Sequence, residues 1–194
     1  MVNTHTAALR SLLSRCSVGP KHLVEPGPDE AALQQMAAAA LRAPDHAGLT
    51  PYRFALVRGA ARESLADMFE QAARAAGKAP SAVDRERALG APVTVAVIAR
   101  IDAGHPVATV HEQWMAVGGA VTNFVNAAHM MGYGAKMLSG NKVRAAPVVA
   151  AFCAPGETLV GWIVLGTPSR QATPKFDKPA PEQILSDWPG PATR

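Results

Sequence analysis

Only two of the 194 residues are cysteine, Cys16 and Cys153. A single pair gives neither a disulfide framework nor a zinc motif, so both read as reduced thiols. Charge is also scarce: 18% of residues are Asp, Glu, Lys or Arg, against 48% apolar. A disordered chain would show the opposite balance. No apolar run reaches the roughly 18–20 residues that span a bilayer. Met1 to Arg15 carries charge and polarity where a secretory signal needs its apolar stretch. The expectation is a soluble, cytosolic protein with no membrane partner. Aromatics make up 5% of the chain, and the basic residues behind the net charge of +4 are scattered. A nucleic-acid surface would need a basic stripe or stacking platforms, so a phosphate-bearing small molecule fits the charge better. Glycine and proline, 16 of each, are too few and too unperiodic for a fibre. The six histidines lack metal-ligand spacing, and no metal site is expected.

Periodicity then marks the elements. Ala8, Leu9, Leu12 and Leu13 predict a helix over 4–14, and Asp29 is an N-cap for a second helix that stops before Pro44. Residues 53–58 alternate as a strand, 61–77 read as a helix ended by Gly77, and the β-branched run Val93–Ala99 reads as a central strand. Between Glu112 and Met131 apolar and small residues occur almost all round. A helix of that kind is buried on most sides, here best explained by an oligomer interface. A short helix over 141–153 must place Pro147 in its first turns, and 158–165 is the last strong strand. Strands and helices do not alternate strictly, which predicts an α+β domain over residues 1–168. Residues 169–194 form a Pro-rich extension that cannot build its own core and packs on the domain or on a partner subunit.

Two motif matches carry little. Ser139-Gly-Asn-Lys142 fits the S-x-x-K pattern of acyl-transferring serines, but its companion elements are absent. Gly132-Tyr-Gly134 lacks the third glycine and preceding strand of a dinucleotide loop, and a turn ending the long helix explains it. Three constellations are more informative together than alone. Arg15-Cys16-Ser17 sets a guanidinium and a hydroxyl two residues apart, a pair able to grip a phosphate. Arg42, Asp45 and His46 sit at a helix end in a Pro-bounded loop suited to a planar polar ligand. Gly132 to Gly140 offers backbone approach at its glycines and the cation of Lys136. Each taken singly is also what an ordinary turn contains.

In this order these segments resemble the nitroreductase family of flavoproteins, most closely its compact, single-domain bacterial branch. The resemblance rests on Arg15-x-Ser17, Arg42-Ala-Pro-Asp-His46, Pro51-Tyr-Arg-Phe54, Glu112-Gln113, Gly132-Tyr-Gly134, Ser139-Gly140 and Val160-Gly-x-x-x-Leu-Gly-Thr-Pro168. It implies a central, mostly antiparallel sheet flanked by helices, in an intertwined homodimer with FMN at the subunit interface. By position, Arg15, Cys16 and Ser17 would hold the FMN phosphate and ribityl chain. Arg42 and His46 would meet the flavin from one subunit with Thr50 nearby, and Met137, Leu138 and Ser139 would border it from the other. Ala127, Ala128, His129, Met130, Met131 and Gly132 align with a stretch associated with nicotinamide-nucleotide binding. The implied reaction takes a hydride from NADH or NADPH and passes two electrons to a nitroaromatic or quinone, with the chemistry carried by FMN and no catalytic side chain. The branch commonly has Gln-Pro-Trp where this chain has Thr50-Pro51-Tyr52, and often Trp-Arg at Met137-Leu138. Those departures motivate two alternatives: a flavin-binding dimer with little reductase activity, or a flavin enzyme with an unrelated acceptor.

Overall fold

A computed structural model describes residues 6–77, 79, 82–174 and 176–190. Its centre is β3 (Val93–Ala99), buried at every position, as a β-branched run covered on both faces should be. β3 pairs with β2 (Tyr52–Arg58) on one side and β5 (Thr158–Pro168) on the other. β5 also takes β4 (Gly134–Leu138) and the two-residue β1 (Leu23–Val24). Every pairing is antiparallel, as the α+β reading requires.

The pleat of β3 sorts its side chains into two cores. Val93, Val95, Val97 and Ala99 join Ile163 and Leu165 beneath α2 (Glu30–Ala40) and α5 (Val110–Met130). Ala96 and Ile98 join Leu159 and Trp162 beneath α3 (Ala61–Ala75) and α6 (Ala146–Phe152). Asp29 caps α2, its Oδ1 accepting the Ala32 N–H at 2.8 Å. Such a cap contributes about 1 kcal/mol. Small residues let α5 and the turn that follows α2 approach closely. A Cβ built on Gly119 would lie 3.1 Å from the Cβ of Ala43. Between β2 and β3, α3 is followed by α4 (Ala82–Leu89), and Arg85 ties the two helices through Glu63 and Asp67.

One feature differs from the pattern-based expectation. The helix expected over 141–153 divides into a 3₁₀ turn at Asn141–Arg144 and α6 from Ala146. Pro147 explains the division, because its missing N–H is tolerated only in a first turn. The long helix is not hidden all round within one chain. Gln113, Ala116, Val117, Ala120, Phe124, Val125 and Ala128 form its buried stripe, while Val110, Trp114, Met115, Met130 and Met131 are exposed. Beside it α1 (Ala7–Ser14) exposes Leu9, Leu12 and Leu13 and buries nothing. The extension from Ser169 to Gly190 is almost wholly exposed where described, including Phe176, Ile184, Leu185 and Trp188. Among the described residues no helix is long and apolar enough to cross a membrane.

β4 sits tightly on β5 because Gly161 has no side chain. A Cβ there would run into the Leu138 carbonyl and the Met137 methyl. Gly161→Ala is expected to destabilise the fold by about 1–3 kcal/mol, the usual range for overpacking. Denaturant titration of the two proteins checks this, with a lowered midpoint at unchanged slope as the expected outcome.

Candidate functional site

The first cluster forms where α2 gives way to β2. Arg42 follows the helix, and the chain turns through Pro44 into a loop held by Asp45. Its Oδ2 accepts the Thr50 N–H at 2.6 Å and its carbonyl accepts the Gly48 N–H at 3.1 Å. The clasp keeps Ala47 (φ 67°) and Thr50 (φ 48°) in the left-handed region. Side chains, above all β-branched ones, adopt that region only when the surroundings compel it. Beyond the loop, Tyr52 donates its hydroxyl to the Ala40 carbonyl at 3.1 Å. Arg53 pairs with Glu157 through Nε at 2.8 Å and also reaches the Phe152 carbonyl. Together with the Ala154 N–H and Arg100, Arg53 holds the Glu157 carboxyl well below the usual carboxylate range. Tyr52 and Arg53 thus brace the loop rather than line it.

His46 projects from this loop and is half-exposed, its Nδ1 2.9 Å from Oε1 of Glu112. Glu112 is the third residue of α5, and its other oxygen accepts the Thr109 N–H at 2.8 Å and the Thr109 hydroxyl at 2.9 Å. Thr109 Oγ1 in turn accepts the Glu112 N–H, completing a capping box. The Thr109 donors, and then His46, lower the Glu112 carboxyl to about 2. Sequence reading passed over this residue's role. The Thr109-x-x-Glu112 spacing was the available signal for the box, whereas the 66-residue separation from His46 leaves no local trace.

The second cluster forms where α1 ends. Arg15, Cys16 and Ser17 lead to Val18, whose N–H donates to the Ala135 carbonyl at 3.1 Å along the outer edge of β4. In an antiparallel ladder alternate residues turn both main-chain groups away from the neighbour. Ala135 does so, and therefore Met137 two residues later does too, away from β5. The Met137 and Leu138 side chains enter the cores on opposite sheet faces. What this strand offers outward is its backbone. Beside its end, Leu138 and Ser139 also line a cavity of about 1,040 Å³ whose apolar walls include Phe69, Ala72 and Trp162. Thr94 lines it as well, its buried hydroxyl without a hydrogen-bond partner among the described residues.

The C-terminal end of α5 closes this cluster, with His129 Nε2 3.2 Å from the Ser14 hydroxyl. Of the 127–132 stretch, Ala128 is fully buried, while Met130, Met131 and Gly132 are exposed. Seventeen residues, or about 25 Å of helix axis, separate Glu112 from His129. The Arg42–His46–Thr50 cluster and the Arg15–Ser17 cluster therefore sit at opposite ends of α5 in one chain. The Arg15 and Arg42 guanidinium groups make no hydrogen bond or ion pair with the described residues. Both are available to an anion or polar ring. No group of three or more His, Cys, Asp or Glu among the described residues could share a metal ion.

Residues 14–167 match the nitroreductase family, and the chain belongs to it as a nitroreductase-family oxidoreductase. One similar relative is the Escherichia coli (strain K12) protein named "Putative NAD(P)H nitroreductase YdjA". It is 35% identical over 182 residues, covering 92% of this chain and 98% of that one. The fold is shared with a nitroreductase-like family protein from Bacillus cereus, at TM-score 0.79 and 20% identity, covering 98% of this chain and all of that one. A Desulfovibrio desulfuricans structure described as a putative nitroreductase in complex with FMN aligns at TM-score 0.73 and 20% identity, covering 97% of this chain and all of the other.

The depressed Glu112 carboxyl has a signed consequence. A carboxylate held below its unfolded value adds stability above that value and loses it as pH falls through the folded one. The stability advantage of the wild type over Glu112→Gln should be full above about pH 4.5 and vanish as pH falls towards 2. Chemical denaturation of both proteins across that range checks it.

Proposed function

We propose that two copies of the chain hold FMN between them and form an oxidoreductase that takes a hydride from NAD(P)H and reduces an electron-poor acceptor such as a nitroaromatic or quinone. The observation that carries this reading is the outward-facing backbone of β4 at Met137, beside a large apolar cavity. A flat heterocycle with ring donors and acceptors needs such an edge for its polar rim and apolar walls for its faces. The residues fit FMN on three counts: that edge, the available guanidinium groups of Arg15 and Arg42, and the loop clasped by Asp45.

FMN, when bound, supplies the two-electron chemistry, and the protein supplies binding, orientation and electrostatics. Arg15 binds the phosphate through its forked donors, with the Ser17 hydroxyl and the backbone at Cys16 completing the grip. Met137, Leu138 and Ser139 orient the ring through main-chain groups. Arg42, His46 and Thr50 approach the same ring from the second copy, with Arg42 as a cation beside it. The separation of the clusters along α5 supports two chains per site, and so does the exposed apolar face of Trp114, Met115, Leu12 and Leu13. A nicotinamide nucleotide would meet the stretch from Ala127 to Gly132, whose exposed members are Met130, Met131 and Gly132.

The test is a visible spectrum of the purified protein followed by anaerobic addition of NADPH or NADH. A flavin spectrum that bleaches on addition is the expected result. A flavin that persists would favour the binding-protein alternative, and a protein that neither carries nor takes up FMN would overturn the reading. Arg15→Ala should weaken FMN binding about tenfold or more, the scale of a charge-assisted hydrogen bond. Fluorescence titration with FMN measures it. Met115→Asp, in the exposed apolar face, should lower the mass seen by sedimentation and reduce FMN uptake with it.

A further inference from the structure

The loop around His46 meets α5 through one carboxylate, and that carboxylate has no proton to give. Both Glu112 oxygens are acceptors. Oε2 takes two hydrogen bonds from Thr109, and Oε1 lies 2.9 Å from His46 Nδ1. Were Nδ1 the unprotonated nitrogen, its lone pair would face a carboxylate lone pair at hydrogen-bond distance, and the contact would be repulsive. Nδ1 must therefore carry the hydrogen, which leaves Nε2 of the neutral ring with its lone pair turned outward. We propose that Glu112 is a positioning residue: it fixes His46 in the Nδ1–H form, so that Nε2 meets the ligand of this loop as a hydrogen-bond acceptor. The ligand chemistry that matches is an N–H or O–H group close to a feature that welcomes the Arg42 cation. This rests on the FMN reading above, in which that group is a ring imide or a ribityl hydroxyl.

Two further observations separate this role from a purely structural one. The box at the start of α5 needs an acceptor at residue 112, and glutamine serves a capping box as well as glutamate does. Helix initiation alone therefore does not require a charge there, whereas tautomer control does. A glutamine at 112 could present either its carbonyl or its amide to Nδ1, leaving the ring free to adopt both forms. The ring is also held on ligand-loop backbone that Asp45 keeps in the left-handed region, so its origin is fixed while Glu112 fixes its proton.

The experiment is nitrogen NMR on protein labelled at histidine, with and without FMN as the probe, on the full-length wild type, Glu112→Gln and Thr109→Ala. In the wild type the His46 Nε2 signal should be that of an unprotonated nitrogen and Nδ1 that of a protonated one, at a pH where the ring is neutral. Glu112→Gln should mix the two forms and weaken FMN binding roughly three- to tenfold, the scale of one hydrogen bond. Its helix content should stay unchanged. Thr109→Ala, which breaks the box but leaves the carboxylate beside His46, should lower thermal stability without changing the tautomer. A wild-type ring protonated on Nε2, or a Glu112→Gln protein with unchanged tautomer and FMN affinity, overturns the proposal. If the tautomer shifts as expected but no variant takes up FMN, the positioning role stands and the FMN reading falls.

Discussion

The seating of α5 on α2 and the sheet is the contact on which the rest of the molecule depends. It is made by small residues, Ala40 and, just past the end of α2, Ala43 on one side and Gly119 and Ala120 on the other, with Phe124 filling the space that follows. Small side chains bring the two backbones together, and the apolar area they cover is removed from water on both helices. That close fit turns Trp114, Met115, Met130 and Met131 outward. It also delivers Glu112 to His46 at one end and His129 to Ser14 at the other. One rigid helix thereby decides both which surface is left uncovered and how far apart the two arginine clusters lie.

The polar residues around the Arg42 loop divide into braces and presenters. Tyr52 and Arg53 spend their hydrogen bonds on the Ala40 carbonyl, Phe152 and Glu157, which pins the start of β2 from both sides. Asp45 closes the loop on itself. With those groups occupied, Arg42 and His46 are left exposed, His46 with one nitrogen already committed. Backbone held in a sparsely populated region costs energy, and it persists where surrounding contacts over-determine it. The loop thus presents its cation and its imidazole from a fixed frame.

Much of this architecture is legible in the sequence because its signals are local. Asp29 as a cap, the β-branched apolar run from Val93 and the glycine after α3 each act within a few residues, and each does in the structure what its type predicts. The β1 pairing of Leu23 and Val24 was not legible, since two residues have no period and find their partners 143 or more positions away. α4 escaped for a related reason: its apolar residues stand at its two ends with charges between them and show no helical period, and Arg85 attaches it to α3 by charge. The long helix was half legible. Its composition announced burial on most sides, but composition does not say which covering surface comes from the same chain. The loop charges were visible as a cluster, while the division into braces and presenters needed Glu157 and Glu112, which are distant in sequence.

The outer edge of β4 bears on how the chain behaves while nothing covers it. Main-chain groups that face away from the sheet at Met137, unpaired among the described residues, are a template able to take a stray strand from another chain. Lys136 next to it sets a charge on that strand, a common guard against such pairing. Val18 shields the edge only as far as Ala135. Cover over the remaining edge therefore bears on solubility, and a chain that leaves it bare is the form most exposed to aggregation.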